Sequence, residues 1–410
     1  MKGSRIVVGT LAAGLLVTAG VVASASSGSG TNVKAAQATT VTLSGWKSSP
    51  VEDNLVAKVA AAFNRSHKSV KVNYVPLGDY DTTMIAKFSA RKPPDVFYVN
   101  GHVFPTWVSQ GVLASLSPLI KKYHFSTKPF FPRLLNGFKY KGQIYGFPKD
   151  WSPLAMFVNT AMLKKAGAKI PKTWAQLKST AQKLKSSGAV PNGKPLCLDH
   201  DWARLFSFAY ANGYKGRVLS SAGITSSAVR GAANYWVGLV KAGLGDAPAN
   251  LGADWCGAAF GKEKAAITFE GNWLVPLMTT DFKGVPFKIA VLPKGKTRGN
   301  LAFTVSYSIA RDAKNKGAAW TVLTYFTGKT GSKIWTSLGL ALPARSDVKP
   351  AAGRAAFLKA APYTHVWQGG PKFNDVVQVG NNELSAVYEG KQSVNGMLSK
   401  IQSAARSAGQ

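Results

Sequence analysis

Acidic residues are scarce in this chain: 18 Asp and Glu stand against 51 Lys and Arg in 410 residues, for a net charge of +33. An acidic cleft of the kind that captures a polyamine is hard to build from so few carboxylates. Cysteine is scarcer still. Cys197 and Cys256 are the two in the chain, and without Cys-x-x-Cys spacing they offer no metal knuckle. Catalytic punctuation is missing as well, because the folded body carries no Gly-x-Ser-x-Gly elbow, no His-Glu-x-x-His and no Walker pattern. Gly328-Lys329-Thr330 mimics the end of a phosphate loop, but Leu323 stands where the loop needs glycine. It reads as the end of a helix, with Gly328 at C′. The remaining enzymatic reading is a glycosidase built from two carboxylates distant in sequence.

Apolar runs are equally limited. Ile6 to Ala25 is the one long stretch; Lys2 and Arg5 precede it, and Ala23-Ser24-Ala25 offers a small-x-small cleavage site. Residues 1–25 are therefore expected to be a secretory signal peptide. A spanning anchor is the alternative, since the run approaches the ~20 residues that cross a bilayer. Residues 26–40 are rich in Ser, Gly and Ala and read as a flexible tether. Losing residues 1–25 leaves a net charge of about +31. The basic residues are scattered singly, without an Arg-rich helix or an RNP-type segment, so no nucleic-acid partner is expected. Few carboxylates suit an acid exterior, because paired carboxylates are what low pH undoes. Retention on an anionic wall is the other reading of this charge.

What is present is a large folded body. About 370 residues follow the tether, more than one core usually serves, so two domains are expected. Hydrophobic residues make up 46% and aromatics 11%, enough to fill two cores. Strand and helix patterns alternate as in a doubly wound α/β fold. Val41 to Gly45 alternates as a strand, and Ser49-Pro50-Val51-Glu52 then fits a capping box in front of an apolar stripe of Leu55, Val59, Ala62 and Phe63. Val70 to Val75 and Asp95 to Val99 read as further strands, with a helix over 80–90 between them. A strand that leads into a capped helix sets Trp46 at the carboxyl edge of the sheet, where open α/β sheets bind ligands.

Several blocks then occur in a telling order. Tyr140-Lys141-Gly142-Gln143-Ile144-Tyr145-Gly146-Phe147-Pro148 is followed by Val158-Asn159-Thr160 and by Pro171-Lys172-Thr173-Trp174. Ala62-Phe63-Asn64, Pro94-Asp95-Val96-Phe97 and Gly111-Val112-Leu113 precede them, and Gly261 to Thr268 leading to Gly271-Asn272-Trp273 comes after. Over residues 41–350 the chain resembles the extracellular solute-binding proteins, family 1, of the sugar-capturing branch that serves ABC importers. The resemblance implies a periplasmic-binding-protein-like α/β fold: two doubly wound lobes, a multi-strand hinge and a cleft between the lobes. It sets lobe one at 41–149 plus 302–340 and lobe two at 150–301 plus 341–410. It also puts Cys197 and Cys256 in one lobe of an exported protein, which favours a disulfide between them over two buried thiols.

A sugar offers apolar C–H faces and a hydroxyl rim, so its site needs aromatic surfaces and short polar groups fixed in advance. Trp46, Trp151, Trp255, Trp273 and Trp367 are candidates for the faces, with core packing as the alternative for the last three. Asp150, Asp201, Glu270, Asn272, Ser306 and Arg345 are candidates for the rim, and His102 follows the third strand at the same edge. Asp199-His200-Asp201-Trp202 reads as a cleft loop first and a surface loop second, ahead of a metal site. The resemblance implies capture of a carbohydrate by lobe closure, delivery to ABC permease subunits, no cofactor, no metal and no catalysis, with the protein acting as a monomer. Acidic sugars or glycerol phosphate are the alternative ligands. The protein would act at the extracellular face of the membrane or wall, without the lipid-anchor cysteine that such proteins often carry.

Overall fold

A computed structural model describes residues 38–47 and 50–410. The signal-like run, most of the expected tether and the N-cap assigned to Ser49 lie outside the described residues. Among those described, no helix is long and apolar enough to cross a membrane.

The strands are β1 (Thr39–Ser44), β2 (Val70–Tyr74), β3 (Val96–Asn100), β4 (Lys139–Tyr140), β5 (Gln143–Ile144), β6 (Phe147–Pro153) and β7 (Ala155–Asn159), followed by β8 (Leu196–Cys197), β9 (Gly245–Asp246), β10 (Ile267–Glu270), β11 (Phe287–Ala290), β12 (Asn300–Ile309), β13 (Leu342–Pro343) and β14 (Thr364–Val366). β1 begins at Thr39, inside the segment expected to be tether. Its β-branched threonines pair in parallel with Val70 and Lys71, which draws them into the sheet.

Two sheets organise the fold. One runs β13-β6-β12-β3-β1-β2, with β14 also on β12; the other runs β11-β7-β10-β8-β9. Every residue of β6 and β7 is buried, as expected for strands covered on both faces. One core packs around the first sheet, through Leu43, Phe63, Phe97, Phe147 and Trp320. A second packs around the other sheet, through Val158, Trp202, Phe206, Trp236 and Phe269. β13 and β14, which fall in the 341–410 stretch assigned to the second lobe, belong to the first sheet. β6 and β12 are long enough to hold them there by backbone pairing at Trp151, Asp150 and Asn300 to Ala302.

Local sequence explains the joints. Lys141 and Gly142 both have positive φ, 46° and 76°, and form the two-residue turn of the β4–β5 hairpin, with glycine at the second position. Thr173 accepts from the Gln176 amide at 3.2 Å and starts the helix Trp174–Ser186. Gly328 corrects one expectation. It follows the helix Lys316–Phe326 but has φ −72°, outside the left-handed region, and caps the next helix, Lys329–Trp335. The backbone packs so tightly there that a Cβ would lie 2.6 Å from the Thr324 carbonyl oxygen, which is what requires glycine.

β6 and β12 pair with a bulge, Val305 opposite Asp150 and Ser306 opposite Pro148, so that Lys149 is the extra residue. Such a bulge re-aims side chains. Lys149 and Asp150, neighbours that a regular strand would point to opposite faces, meet as an ion pair of 2.5 Å.

Candidate functional site

A cavity of about 450 Å³ opens between elements of the two sheets. One wall comes from the end of β10, where Gly271-Asn272-Trp273 leads into the helix Leu274–Thr280. Trp273 lines the cavity together with Trp255. Two glycines make room for these rings. A Cβ on Gly271 would lie 2.2 Å from the Trp273 ring and 2.5 Å from Ser152 Oγ, and one on Gly257 would lie 2.2 Å from the Trp255 ring. Asn272 is fully buried; its backbone amide donates to Ser152 Oγ at 2.8 Å and its Oδ1 has no partner. Trp255 directly precedes Cys256, which a disulfide joins to Cys197 at the end of β8, with a Cα–Cα distance of 5.4 Å.

The opposite wall is the start of the helix Pro50–Ser66, represented by Pro50, Val51 and Glu52, with Leu340 beside it. Glu52 is 5% exposed and accepts from the Trp46 indole at 3.0 Å. Glu52 and Asp53 lie in the first turn, where a carboxylate is favoured by the unpaired amides and the dipole. Behind Trp46 the aromatics close on Lys149. Its ammonium sits 3.5 Å from the Trp335 ring centroid and 4.5 Å from that of Tyr98, and the Trp335 indole donates to Asp150 Oδ2 at 2.8 Å. This buried ammonium is thus held by one carboxylate and two ring faces.

A second polar network stands behind Trp273. The Trp273 indole donates to Glu270 Oε2 at 3.0 Å, and Arg204 Nη2 donates to the same oxygen at 2.6 Å. Arg204 also donates to the Phe269 carbonyl at 3.0 Å and, through Nη1, to Asp201. Burial pushes the Glu270 carboxyl above its ordinary range, against the pull of Arg204. Burial also works against the Arg204 charge, yet Glu270 and Asp201 outweigh it and hold the guanidinium protonated more firmly than usual. A hydrogen-bonded chain therefore runs from Asp201 through Arg204 and Glu270 to Trp273, and fixes the plane in which that indole faces the cavity.

Comparison with known proteins now becomes decisive. Residues 48–333 match the family model described as "Bacterial extracellular solute-binding protein". The chain belongs to this family. Among its relatives is a binding protein of Brucella abortus (strain 2308), 23% identical over 359 residues that span 83% of this chain and 86% of that protein. Its fold is similar to that of the ABC substrate-binding protein Lmo0181 from Listeria monocytogenes, solved in complex with cycloalternan, with a TM-score of 0.81, 20% identity and coverage of 90% of this chain and 99% of that one. It is similar also to the GacH receptor of Streptomyces glaucescens, solved unliganded and with acarbose, with a TM-score of 0.79, 21% identity and coverage of 91% and 98%. The two-lobed periplasmic-binding-protein-like architecture expected from the sequence is the one observed.

Within this solute-binding protein the candidate residues separate into groups. Trp273 lines the cavity; Trp46 and Glu270 stand behind the lining, bonded to Glu52 and Trp273, Asn272 is buried in the chain just before Trp273, and Asp150 lies in the Lys149 cluster behind Trp46. Asp201 is an N-cap, accepting from the Ala203 amide at 2.6 Å, and it anchors Arg204. Ser306 is fully buried beside Ser308 Oγ at 3.3 Å, where Gly146 packs against it. The Nδ1 atom of His102 is enclosed without a partner, and burial lowers the pKa of the ring to about 4 despite the opposing charge of Asp201.

Three residues lie elsewhere. Trp151 follows Asp150 on β6 and so takes the other face of the strand. It donates to the Pro343 carbonyl at 3.2 Å and lines a separate apolar cavity of about 420 Å³ with Phe131, Leu134 and Val366. Arg345 is bound up with Asp347, at 2.9 and 2.8 Å, and lies over the Phe130 ring. Trp367 is core, packed on Phe206 and Phe373.

Sequence reasoning missed Glu52 as a wall residue, and it missed Arg204, Lys149 and Trp335 altogether. Glu52 carried a signal, the capping box, that was read only as a helix start. Arg204 carried a fainter one, its i,i+3 spacing from an N-cap aspartate.

Proposed function

We propose that this solute-binding protein captures a carbohydrate in the 450 Å³ cavity by closure of its lobes and hands it, unaltered, to the permease subunits of an ABC importer. One observation carries the reading: Trp255 and Trp273 on one wall face a carboxylate, Glu52, on the other. Indole faces stack on sugar C–H surfaces, and carboxylate and amide oxygens accept from the hydroxyl rim. The cavity volume falls within the ~300–1,000 Å³ usual for small-molecule sites. The saccharides bound to the Listeria and Streptomyces proteins of the same fold support this ligand class.

The mechanism is a population shift. Rotation about the crossing strands separates open from closed states, and a ligand that touches both walls favours the closed one. Moving the balance from 1:99 to 99:1 takes ~5.5 kcal/mol of differential binding, within reach of two stacking contacts and several hydrogen bonds. The protein acts as an exported monomer at the outer face of the cell, and strand crossings near 145–154 and 300–307 serve as its hinge.

Calorimetric titration with maltotriose, xylotriose and chitotriose, combined with solution scattering, tests the reading. Saturable heat and a smaller radius of gyration with at least one of these are expected. No heat and no compaction with any saccharide would remove the carbohydrate assignment.

A further inference from the structure

Lysine is scattered along the chain, but folding gathers part of it beside the second sheet, β11-β7-β10-β8-β9. Residues 160–198 carry eight Lys and no Arg, Asp or Glu. They include the helices Thr160–Lys165 and Trp174–Ser186, whose apolar sides, with Leu163, Leu177, Ala181 and Leu184, are buried in the core around that sheet. Seven of the eight lysines are exposed. Among the described residues an ion pair claims one of the eight, Lys194, which meets Asp246 at 3.2 Å.

The segment also builds a recess. A cavity of about 340 Å³ lies where the loop 167–172 meets the helix Trp174–Ser186. Gln176, Ser179, Thr180 and Lys183 line it from one side of the helix, at i, i+3, i+4 and i+7, and Lys169 and Lys172 line it from the loop. The loop is pinned to the helix. Thr180 Oγ1 donates to the Lys169 carbonyl at 3.3 Å, and Gln176 Oε1 accepts from the Lys172 amide at 2.8 Å. The bridge between Thr173 and Lys294 sets a further exposed lysine alongside. No carboxylate lines the cavity, so its three lysines share it with hydroxyl and amide groups. A recess lined by one sign of charge focuses the potential and concentrates ions of the other sign.

The composition of the face narrows the partner. Specific protein contacts are anchored mostly by Trp, Tyr and Arg, and residues 160–198 hold no Arg, no Tyr and a single Trp. That residue, Trp174, is taken up by stacking on Tyr235 at 4.5 Å and Phe208 at 5.5 Å, which leaves no free ring for a nucleic-acid base. None of the large hydrophobic side chains exposed on the described surface belongs to this segment, so a bilayer finds nothing to draw in. What fits is a flexible chain of repeated single negative charges, which lysines meet as point charges without a fixed bidentate geometry.

From this arrangement we infer that the face docks a polyol-phosphate chain, a phosphodiester polymer without bases, and seats part of it among Lys169, Lys172 and Lys183. Retention on an anionic wall, one reading of the charge balance, thereby acquires a location. This cavity and the 450 Å³ cavity share no lining residue, so docking takes from the proposed function only the exported location and is independent of carbohydrate capture.

The test follows fluorescent poly(glycerol phosphate) by anisotropy with the full chain over a salt series, beside oligothymidylate of equal charge and phosphatidylglycerol vesicles. One variant combines Lys169→Gln, Lys172→Gln and Lys183→Gln. Its control combines Lys58→Gln, Lys92→Gln and Lys121→Gln, three exposed lysines outside the segment, and loses the same charge. The cavity triple is expected to weaken polymer binding at least about tenfold at low salt and to make its salt dependence shallower, with less than about a twofold change in the control. Equal losses in the two triples, or no binding of the polymer by the native chain, would overturn the inference. So would oligothymidylate or vesicles that bind the native chain as tightly as the polymer and weaken as much in the cavity triple. Should the cavity triple fail to fold, Lys164→Gln with Lys178→Gln, exposed on the same segment, decides the question by a loss greater than that of the control.

Discussion

Glu270 accepts the indole proton of Trp273 at 3.0 Å with the same oxygen that receives Arg204 Nη2 at 2.6 Å. The aromatic wall of the cavity is thereby set by an ion pair behind it. Removing the cation should be felt at the ring. Arg204→Met leaves a buried carboxylate uncompensated and is expected to cost about 3–5 kcal/mol in chemical denaturation. Adding Glu270→Gln removes the orphan charge and should recover much of that loss. Near-ultraviolet circular dichroism would report the changed setting of Trp273 in the single variant and its partial return in the double one.

Truncating the walls separates binding from folding. Trp273→Ala and Trp255→Ala should each weaken saccharide affinity at least about tenfold in calorimetry. Both side chains are only partly buried, so the folded state should persist in each. Gly271→Ala should resemble Trp273→Ala, because its Cβ needs the space that the Trp273 ring occupies. Wild-type affinity in Gly271→Ala would show that this ring does not hold the ligand.

Acid should act through His102. Its pKa is lowered to about 4 from 6.5, chiefly by burial, so between those values the unfolded chain binds a proton that the native protein refuses. The contribution is intact above pH 6.5 and is lost as pH falls toward 4, amounting to about 3 kcal/mol. Urea unfolding across that window should show the loss, and His102→Gln should flatten it. Glu270 acts in the opposite sense. Its carboxyl is raised above 4.5, so its contribution declines as pH rises from that value through the raised one and is constant beyond.

The disulfide ties Trp255 to the second sheet. Cys197 and Cys256 close a loop with a sequence separation of 59, and opening it through Cys197→Ser with Cys256→Ser should cost about 2–4 kcal/mol. Affinity for saccharide should fall as well, since Trp255 is the residue next to the bond. A variant with reduced stability but unchanged affinity would show that the Trp255 wall is held by packing alone.

The fold was largely legible from the chain. Strand alternation and the apolar stripe behind Ser49-Pro50-Val51-Glu52 are local features, and the strands β1, β2 and β3 and the helix Pro50–Ser66 form where their residues indicate. Gly271-Asn272-Trp273 was legible because its residues match a family pattern. What could not be read is tertiary. Trp151 was assigned with Asp150, but a period of two sends consecutive strand residues to opposite faces, and only knowledge of the bulge at Lys149 tells which face is which. Arg345 was assigned to the rim, whereas Asp347, two residues on, claims its guanidinium. Arg204, Trp335 and Glu52 are drawn to the site from elements far apart in sequence, and no local pattern announces such a convergence.

β6 ends at Pro153 and β7 begins at Ala155, so a single residue, Leu154, separates a strand of one sheet from a strand of the other. Its amide donates to the Leu301 carbonyl at 3.1 Å, and its carbonyl accepts from Asn300 Nδ2 at 2.7 Å. A joint this short has no slack to take up. At this connection any swing of one half must appear as torsion at Leu154 and its two clamps, in a few backbone bonds, whereas the connection from β11 to β12 has residues 291–299 over which to spread it.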